Sequence, residues 1–173
     1  MNISTIRLRD ATAEDAELLY RIYASTREEE LSLLSWSEPE TIAFLRSQSD
    51  AQLREYSSRF PQSGYQIIML GDVPVGRFFV SHSPAEIRIV DLAILPTFRD
   101  RGFGQYLIRE VLEEGERTGK PIRLHVEEYN RALRLYQRLG FVSIGRLGIY
   151  LELEWRSEST SKDLVAPDQS TLG

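Results

Sequence analysis

The chain contains no cysteine. A disulfide framework, a thiolate zinc site, an iron–sulfur cluster and a cysteine nucleophile are therefore excluded within it. Histidine is almost as scarce, with His82 and His125 the two present, so a histidine-rich site is not expected and no metal is called for. No apolar run approaches the ~20 residues of a membrane span, and no membrane partner is expected. Met1-Asn2-Ile3-Ser4 lacks the basic start, apolar stretch and small-residue cleavage site of a secretory signal, so the expected compartment is the cytoplasm. Basic charge is also short. With 21 Lys and Arg against 26 Asp and Glu, the net charge is −5. A binder of phosphate backbones carries the opposite excess, so no nucleic-acid partner is expected.

What is present is an ordinary globular composition, 42% apolar and 27% charged over 173 residues. A chain of this length buries roughly 70% of its unfolded surface and needs no staples. Residues 1–155 are expected to form a single domain. From Arg156 onward the sequence turns to Ser, Thr, Lys, Asp and Pro, and residues 156–173 are expected to be a mobile tail.

Residues 3–8 alternate as a short strand. Thr12 followed by Asp15 reads as a capping box with aspartate in place of glutamate. The helix behind it carries Ala16, Leu19, Tyr20 and Tyr23 at the amphipathic period and fades at the acidic run Glu28–Glu30. Ser37-Glu38-Pro39-Glu40 starts a second helix, which reaches Phe60. Residues 65–70 and 73–80 form a hairpin about Gly71-Asp72. Residues 86–95 form the next strand, whose apolar parity slips between Ile89 and Val90. A β-bulge explains that slip, and so does a strand buried on both faces. A helix follows over 103–118 and Gly119 ends it. Then come a strand at 121–127, a short helix capped by Asn130 and closed by Gly140, and two strands within 141–155. The order β-α-α-β-β-β-α-β-α-β-β predicts an α/β (α+β) mixed sheet flanked by helices on both faces.

The sharpest local feature is the turn that runs from Leu95-Pro96 through Arg99, Arg101, Gly102, Phe103, Gly104, Gln105 and Tyr106. A helix N-terminus leaves N–H groups unpaired and carries partial positive charge. Glycines there let backbone close on an anion, and arginines at the rim add charge-assisted contacts. It is neither a lysine-bearing P-loop nor a dinucleotide Gly-x-Gly-x-x-Gly turn, since residue 107 is leucine. The same residues also describe a plain glycine-rich strand-to-helix turn with exposed arginines.

Arg99-Asp100-Arg101-Gly102-Phe103-Gly104 resembles the Arg/Gln-x-x-Gly-x-Gly/Ala motif of the GNAT superfamily of N-acetyltransferases. A second block, Asn130 to Phe141, resembles that family's Asn-x-x-Ala-x-x-x-Tyr-x-x-x-Gly-Phe stretch. The resemblance is specific over 86–142 and looser to residue 155. It implies a splayed mixed sheet gripping acetyl-CoA between the strands at 86–95 and 121–127, with a bulge in the first. Backbone groups of Leu92, Ala93 and Ile94 would then pair with the pantetheine arm, N–H groups from Arg101 to Tyr106 would hold the pyrophosphate, and Asn130 would lie near the arm. Tyr136 would be the acid for the leaving thiolate, a role that a phenol of pKa ~10 suits.

The base is the least determined role. Histone-type relatives place a glutamate where this chain has Arg88, which cannot serve. Some N-terminal acetyltransferases of ribosomal proteins place a glutamate where it has His125, whose imidazole can take a proton directly or through water. Asp91 on the neighbouring strand either orients His125 or acts itself, and Glu86, Glu127 and Glu128 are further carboxylates nearby. His82 reads as a turn residue and Trp36 as a loop anchor. The resemblance implies acetyl transfer to an unidentified amine substrate by a monomer or homodimer. The alternative is a non-catalytic acyl-CoA-binding module.

Overall fold

The structure is a computed structural model that describes residues 5–163. The described residues fall into two compact units. One holds the chain up to Ser81 together with Ile89–Tyr106, and the other holds His82–Arg88 together with the chain from Leu107.

The first unit opens on β1 (Ile6–Asp10), later than the expected 3–8, whose start at Ile3 lies outside the described residues. A 3-10 turn at Ala13–Asp15 leads into α1 (Ala16–Ser25). The predicted cap is there, with the Thr12 N–H donating to Asp15 Oδ2 at 2.8 Å. Arg9 grips the same carboxylate with both terminal nitrogens at 2.8 Å, which holds the short side chain in place.

Helix α1 stops just ahead of the acidic run, as expected, but the run itself starts a second short helix, α2 (Glu28–Ser32). Carboxylates suit the positive end of a helix, and Leu31 secures this one by packing with Tyr23 and Leu45. Helix α3 (Glu38–Arg59) begins where its signal predicts. Ser37 N–H donates to Glu40 Oε2 at 2.8 Å, and Glu40 N–H returns to Ser37 Oγ at 3.4 Å.

Strands β2 (Tyr65–Leu70) and β3 (Val73–His82) make the hairpin. Gly71 at φ +60 takes the left-handed first position of the two-residue turn. β1 pairs antiparallel with β2, from Ile6↔Leu70 to Asp10↔Gln66. Alternation on β2 points Tyr65, Ile67 and Met69 into one core with Leu19 and Phe79. Burying side chains of this size is worth ~1.5–3 kcal/mol each. In β4 (Ile87–Ile94), Ile87, Ile89 and Ala93 are buried while Val90, Leu92 and Ile94 are half-buried. Both parities of β4 thus carry apolar side chains that are buried or half-buried.

The second unit holds the body of α4 (Phe103–Thr118), β5 (Ile122–Glu127), α5 (Leu133–Arg138), β6 (Val142–Leu147) and β7 (Tyr150–Trp155). The start of β4 runs parallel to β5 through Ile87↔Ile122 and Arg88↔Arg123. β5 pairs antiparallel with β7, and β7 with β6. The strands thus form a seven-stranded mixed sheet in the order β1-β2-β3-β4-β5-β7-β6. Within the segment expected to be a tail, Glu158–Asp163 form a last helix, α6. Ser157 is buried and accepts the Thr160 N–H at 3.3 Å, a cap that composition alone does not register. Residues 164–173 of that tail lie outside the described residues.

Candidate active site

The glycine turn belongs to the first unit. After a 3-10 turn at Pro96–Phe98, Arg99 Nε donates to the Ile94 carbonyl at 2.9 Å and Nη2 to the Ser25 carbonyl at 3.3 Å. Arg99 therefore ties the end of β4 to the end of α1 and shapes the loop from below. Asp100 at φ +59 and Gly102 at φ +83 both adopt the left-handed conformation. Aspartate is one of the few residues other than glycine that tolerate it, so Asp100 is a shaping residue that motif reading passed over. The α4 ladder begins with Tyr106 N–H donating to the Gly102 carbonyl at 3.0 Å. The N–H groups of the turn before it have no place in that ladder. Phe103 is buried and anchors the turn, and the exposed Arg101 lies 5.3 Å from the Phe98 ring centre. A Cβ on Gly104 would meet only Leu92 Cδ2, at 3.7 Å. Packing does not demand glycine there, and what glycine preserves is bare backbone at the mouth of a 16-residue helix. A bare, positively polarised helix start fits a diphosphate.

Asp91 lies in the same unit, one residue before Leu92, Ala93 and Ile94 on β4. Its Oδ2 accepts the Tyr65 hydroxyl at 2.8 Å and forms an ion pair with Arg77 Nη2 at 2.7 Å. Arg77 Nη2 also donates to Gln52 Oε1 at 2.9 Å. Sequence reasoning missed Tyr65, Arg77 and Gln52. The available signal was a lone arginine inside the apolar run of β3. Trp36 is half exposed, meets Phe44 edge to face at 5.1 Å, and lines a groove of about 430 Å³ with Leu31, Leu34, Ile42, Glu28 and Glu38.

In the second unit His125 is exposed between two partners. Arg88 Nη1 donates to its Nδ1 at 3.3 Å, and Glu152 Oε2 stands 3.8 Å from Nε2. An arginine can only donate, so the neutral ring carries its proton on Nε2. To act as a base, this ring must first release Arg88. Glu86 bridges Arg88 at 2.8 Å and Arg123 at 3.1 Å, and Arg88 reaches Glu152 at 3.2 Å. Arg123 and Arg156 close on Glu154 at 2.8 and 2.6 Å. Burial works to raise Glu154, but these two guanidinium groups outweigh it and hold the carboxyl below its ordinary range. Glu128 holds Arg146 at 2.7 Å, and Glu127 accepts the Tyr150 hydroxyl at 3.4 Å.

Asn130 Oδ1 accepts the Ala132 N–H at 2.8 Å. It caps the turn ahead of α5 rather than α5 itself, whose first flanking residue is Ala132. Its amide nitrogen is not used in that bond. Tyr136 on α5 is buried and meets Phe141 edge to face at 5.5 Å. His82 is the last residue of β3 rather than a turn residue, with Nε2 3.1 Å from Glu114. Among the described residues no three His, Asp or Glu gather as a metal site, and no helix is long and apolar enough to cross a membrane.

The model of the acetyltransferase (GNAT) family matches residues 17–141, more than half of the chain. The chain belongs to the GNAT family. Solved structures similar to this GNAT chain include PaiA N-acetyltransferase from Thermoplasma acidophilum in complex with coenzyme A. It has 18% identity and a TM-score of 0.66, and the match covers 88% of this chain and 99% of that one. An acetyltransferase from Thermus thermophilus has 22% identity and a TM-score of 0.65, over 91% and 100% of the two chains. YncA from Salmonella typhimurium, solved with its cofactor acetyl-CoA, has 17% identity and a TM-score of 0.55, over 95% and 99%. At these identities the likeness is one of fold. No curated protein matches this GNAT chain.

Proposed function

We propose that this GNAT protein is an acetyl-CoA-dependent N-acetyltransferase acting on a primary amine, by direct transfer in one ternary complex. Acetyl-CoA and R–NH3+ go to the N-substituted acetamide, the CoA thiol and one proton. The observation that carries the reading is the turn at Arg99–Tyr106, with Gly102 at φ +83 and Gly104 free of any packing demand. Two proteins of the same fold, PaiA and YncA, were solved with coenzyme A and acetyl-CoA.

When bound, acetyl-CoA supplies the activated acyl group. The chain's own residues do the rest. N–H groups from Arg101 through Phe103, Gly104 and Gln105 hold the pyrophosphate, while the Tyr106 N–H, expected among them, is taken by the Gly102 carbonyl; Arg99 keeps the loop in shape. The backbone of Leu92, Ala93 and Ile94 adds the pantetheine arm as a further strand. Asn130 offers its amide nitrogen to that arm. The Tyr136 hydroxyl gives its proton to the departing sulfur. Asp91 and His125 are the groups that handle the amine and its proton. A single catalytic domain over residues 1–155 and a place in the cytoplasm belong to the same reading.

Calorimetric titration with acetyl-CoA tests it. Wild-type protein should bind, and Gly102→Asp, which sets a carboxylate in the anion turn, should not. Folded wild-type protein that gives no binding heat at high micromolar acetyl-CoA would end the transferase reading.

A further inference from the structure

We propose that Asp91 is the carboxylate that docks the acceptor's protonated amine, and that Arg77 and Tyr65 are positioning residues that hold it for the task. The inference rests on the acetyltransferase reading and adds the carboxylate that receives the acceptor's charge and the residues that hold that carboxylate.

The two oxygens of Asp91 are used unequally. Oδ2 accepts the Tyr65 hydroxyl, at 2.8 Å, and forms the ion pair with Arg77 Nη2, at 2.7 Å. Oδ1 has no hydrogen-bond partner among the described residues. The Asp91 side chain is 18% exposed and that of Arg77 only 2%, so the cation sits on the inner side of the carboxylate. Gln52 on α3 braces both donors, with Oε1 2.9 Å from Arg77 Nη2 and 3.4 Å from the Tyr65 hydroxyl.

Stability does not account for this cluster. A buried ion pair is commonly no better than apolar side chains of the same volume. This one also leaves Arg77 Nε and Nη1 buried without hydrogen-bond partners. The ring faces of Tyr65 and Tyr23, 4.7 and 5.7 Å from the guanidinium carbon, offset part of that loss. What the arrangement does achieve is a carboxylate locked through one oxygen and open at the other, on the residue next to the Leu92–Ile94 backbone. Burial, with the Asp91 charge beside it, raises the Tyr65 phenol, so Tyr65 stays a neutral donor at working pH. An open, oriented carboxylate oxygen selects an ammonium over a neutral group of the same shape.

The test uses protein saturated with acetyl-CoA and labelled with 13C at the aspartate carboxyls. The probe is n-butylammonium chloride, with n-pentanol as its neutral counterpart. The Asp91 resonance, assigned by its loss in Asp91→Asn, should move saturably with n-butylammonium and not with n-pentanol. Asp91→Asn still accepts the Tyr65 hydroxyl through its amide oxygen, so it should fold and lose the binding. Tyr65→Phe and Arg77→Lys should weaken n-butylammonium binding about tenfold, the worth of one hydrogen bond to a charged group. Acetyl-CoA affinity should be unchanged in both. If Arg77→Lys does not fold, Tyr65→Phe, which removes only a hydroxyl, decides. A merely structural role would lower the melting temperature and leave n-butylammonium affinity alone. An Asp91 signal indifferent to n-butylammonium, or moved equally by n-pentanol, overturns the proposal. If acetyl-CoA itself gives no binding heat, the acetyltransferase reading has failed instead.

Discussion

The backbone of Gly76 on β3 runs against the Ala93 carbonyl on β4 so closely that a Cβ at residue 76 would overlap that oxygen, and Ile94 Cα lies 3.2 Å from the same point. Glycine inside a strand marks such an approach of two backbones. Here the neighbour is the segment assigned to the pantetheine arm. Gly76→Ala should therefore act twice. Overpacking should destabilise the fold by about 1–3 kcal/mol, and acetyl-CoA should bind more weakly because Ala93 is displaced. Urea unfolding and calorimetry read the two effects separately. Unchanged stability would mean that the strands part without strain.

The two glycines of the turn should respond with opposite signs. Gly102 is left-handed, and alanine there should destabilise by about 1–3 kcal/mol. Gly104 lies inside α4 with room for a Cβ. Alanine there should stabilise the helix by about 0.5–1 kcal/mol. Leucine at 104 should be tolerated by the fold as well, yet it should fill the backbone surface that the diphosphate needs and cut acetyl-CoA affinity. Thermal melts beside calorimetry test this. Full affinity in Gly104→Leu would move the anion site elsewhere.

These glycines also mark what could be read before the fold was known. Ser37 with Glu40, Thr12 with Asp15, and Gly119 set helix ends by local chemistry, and local chemistry is visible in a string of residues. The glycine turn was legible for the same reason. The partners of Asp91 were not, because Gln52, Tyr65 and Arg77 are far apart in sequence and meet only through strand register and helix packing. Glu152 reaches His125 by the same route, through the pairing of β5 with β7. Helix α2 was missed because a charge run suggests an end, while one buried leucine supplies the packing that makes it a start.

Acid should weaken the first unit at one identifiable place. The Arg9 guanidinium and the Thr12 N–H hold the Asp15 carboxyl down at about 2. An unfolded aspartate titrates near 3.9. A carboxyl depressed on folding contributes stability that is complete above the unfolded value and is lost as pH falls toward the folded one. The window is therefore about pH 4 down to about pH 2. With more than a third of the Arg9 side chain exposed, solvent screens the pair and the contribution is modest. Asp15→Asn should be less stable than wild type near neutral pH. The gap should close as acid protonates Asp15, and paired urea titrations at the two ends of the window measure it. A gap that does not narrow in acid would mean that the loss is one of packing, not of charge.

Tyr136 separates an enzyme from a module that only binds acyl-CoA. Its ring packs against Phe141, and phenylalanine keeps that contact while removing the hydroxyl. Tyr136→Phe should therefore fold and bind acetyl-CoA as wild type does. If the hydroxyl supplies the proton to the leaving sulfur, the rate of CoA release with an amine acceptor should fall about 10²- to 10⁴-fold. A thiol reagent follows that release directly. Equal rates in the two proteins would remove Tyr136 as the acid and leave the thiolate to depart unaided. Wild-type protein that binds acetyl-CoA tightly yet releases no CoA across cationic amines would favour the binding module. In that case the charge network around His125 would have to be explained by recognition of a partner rather than by catalysis.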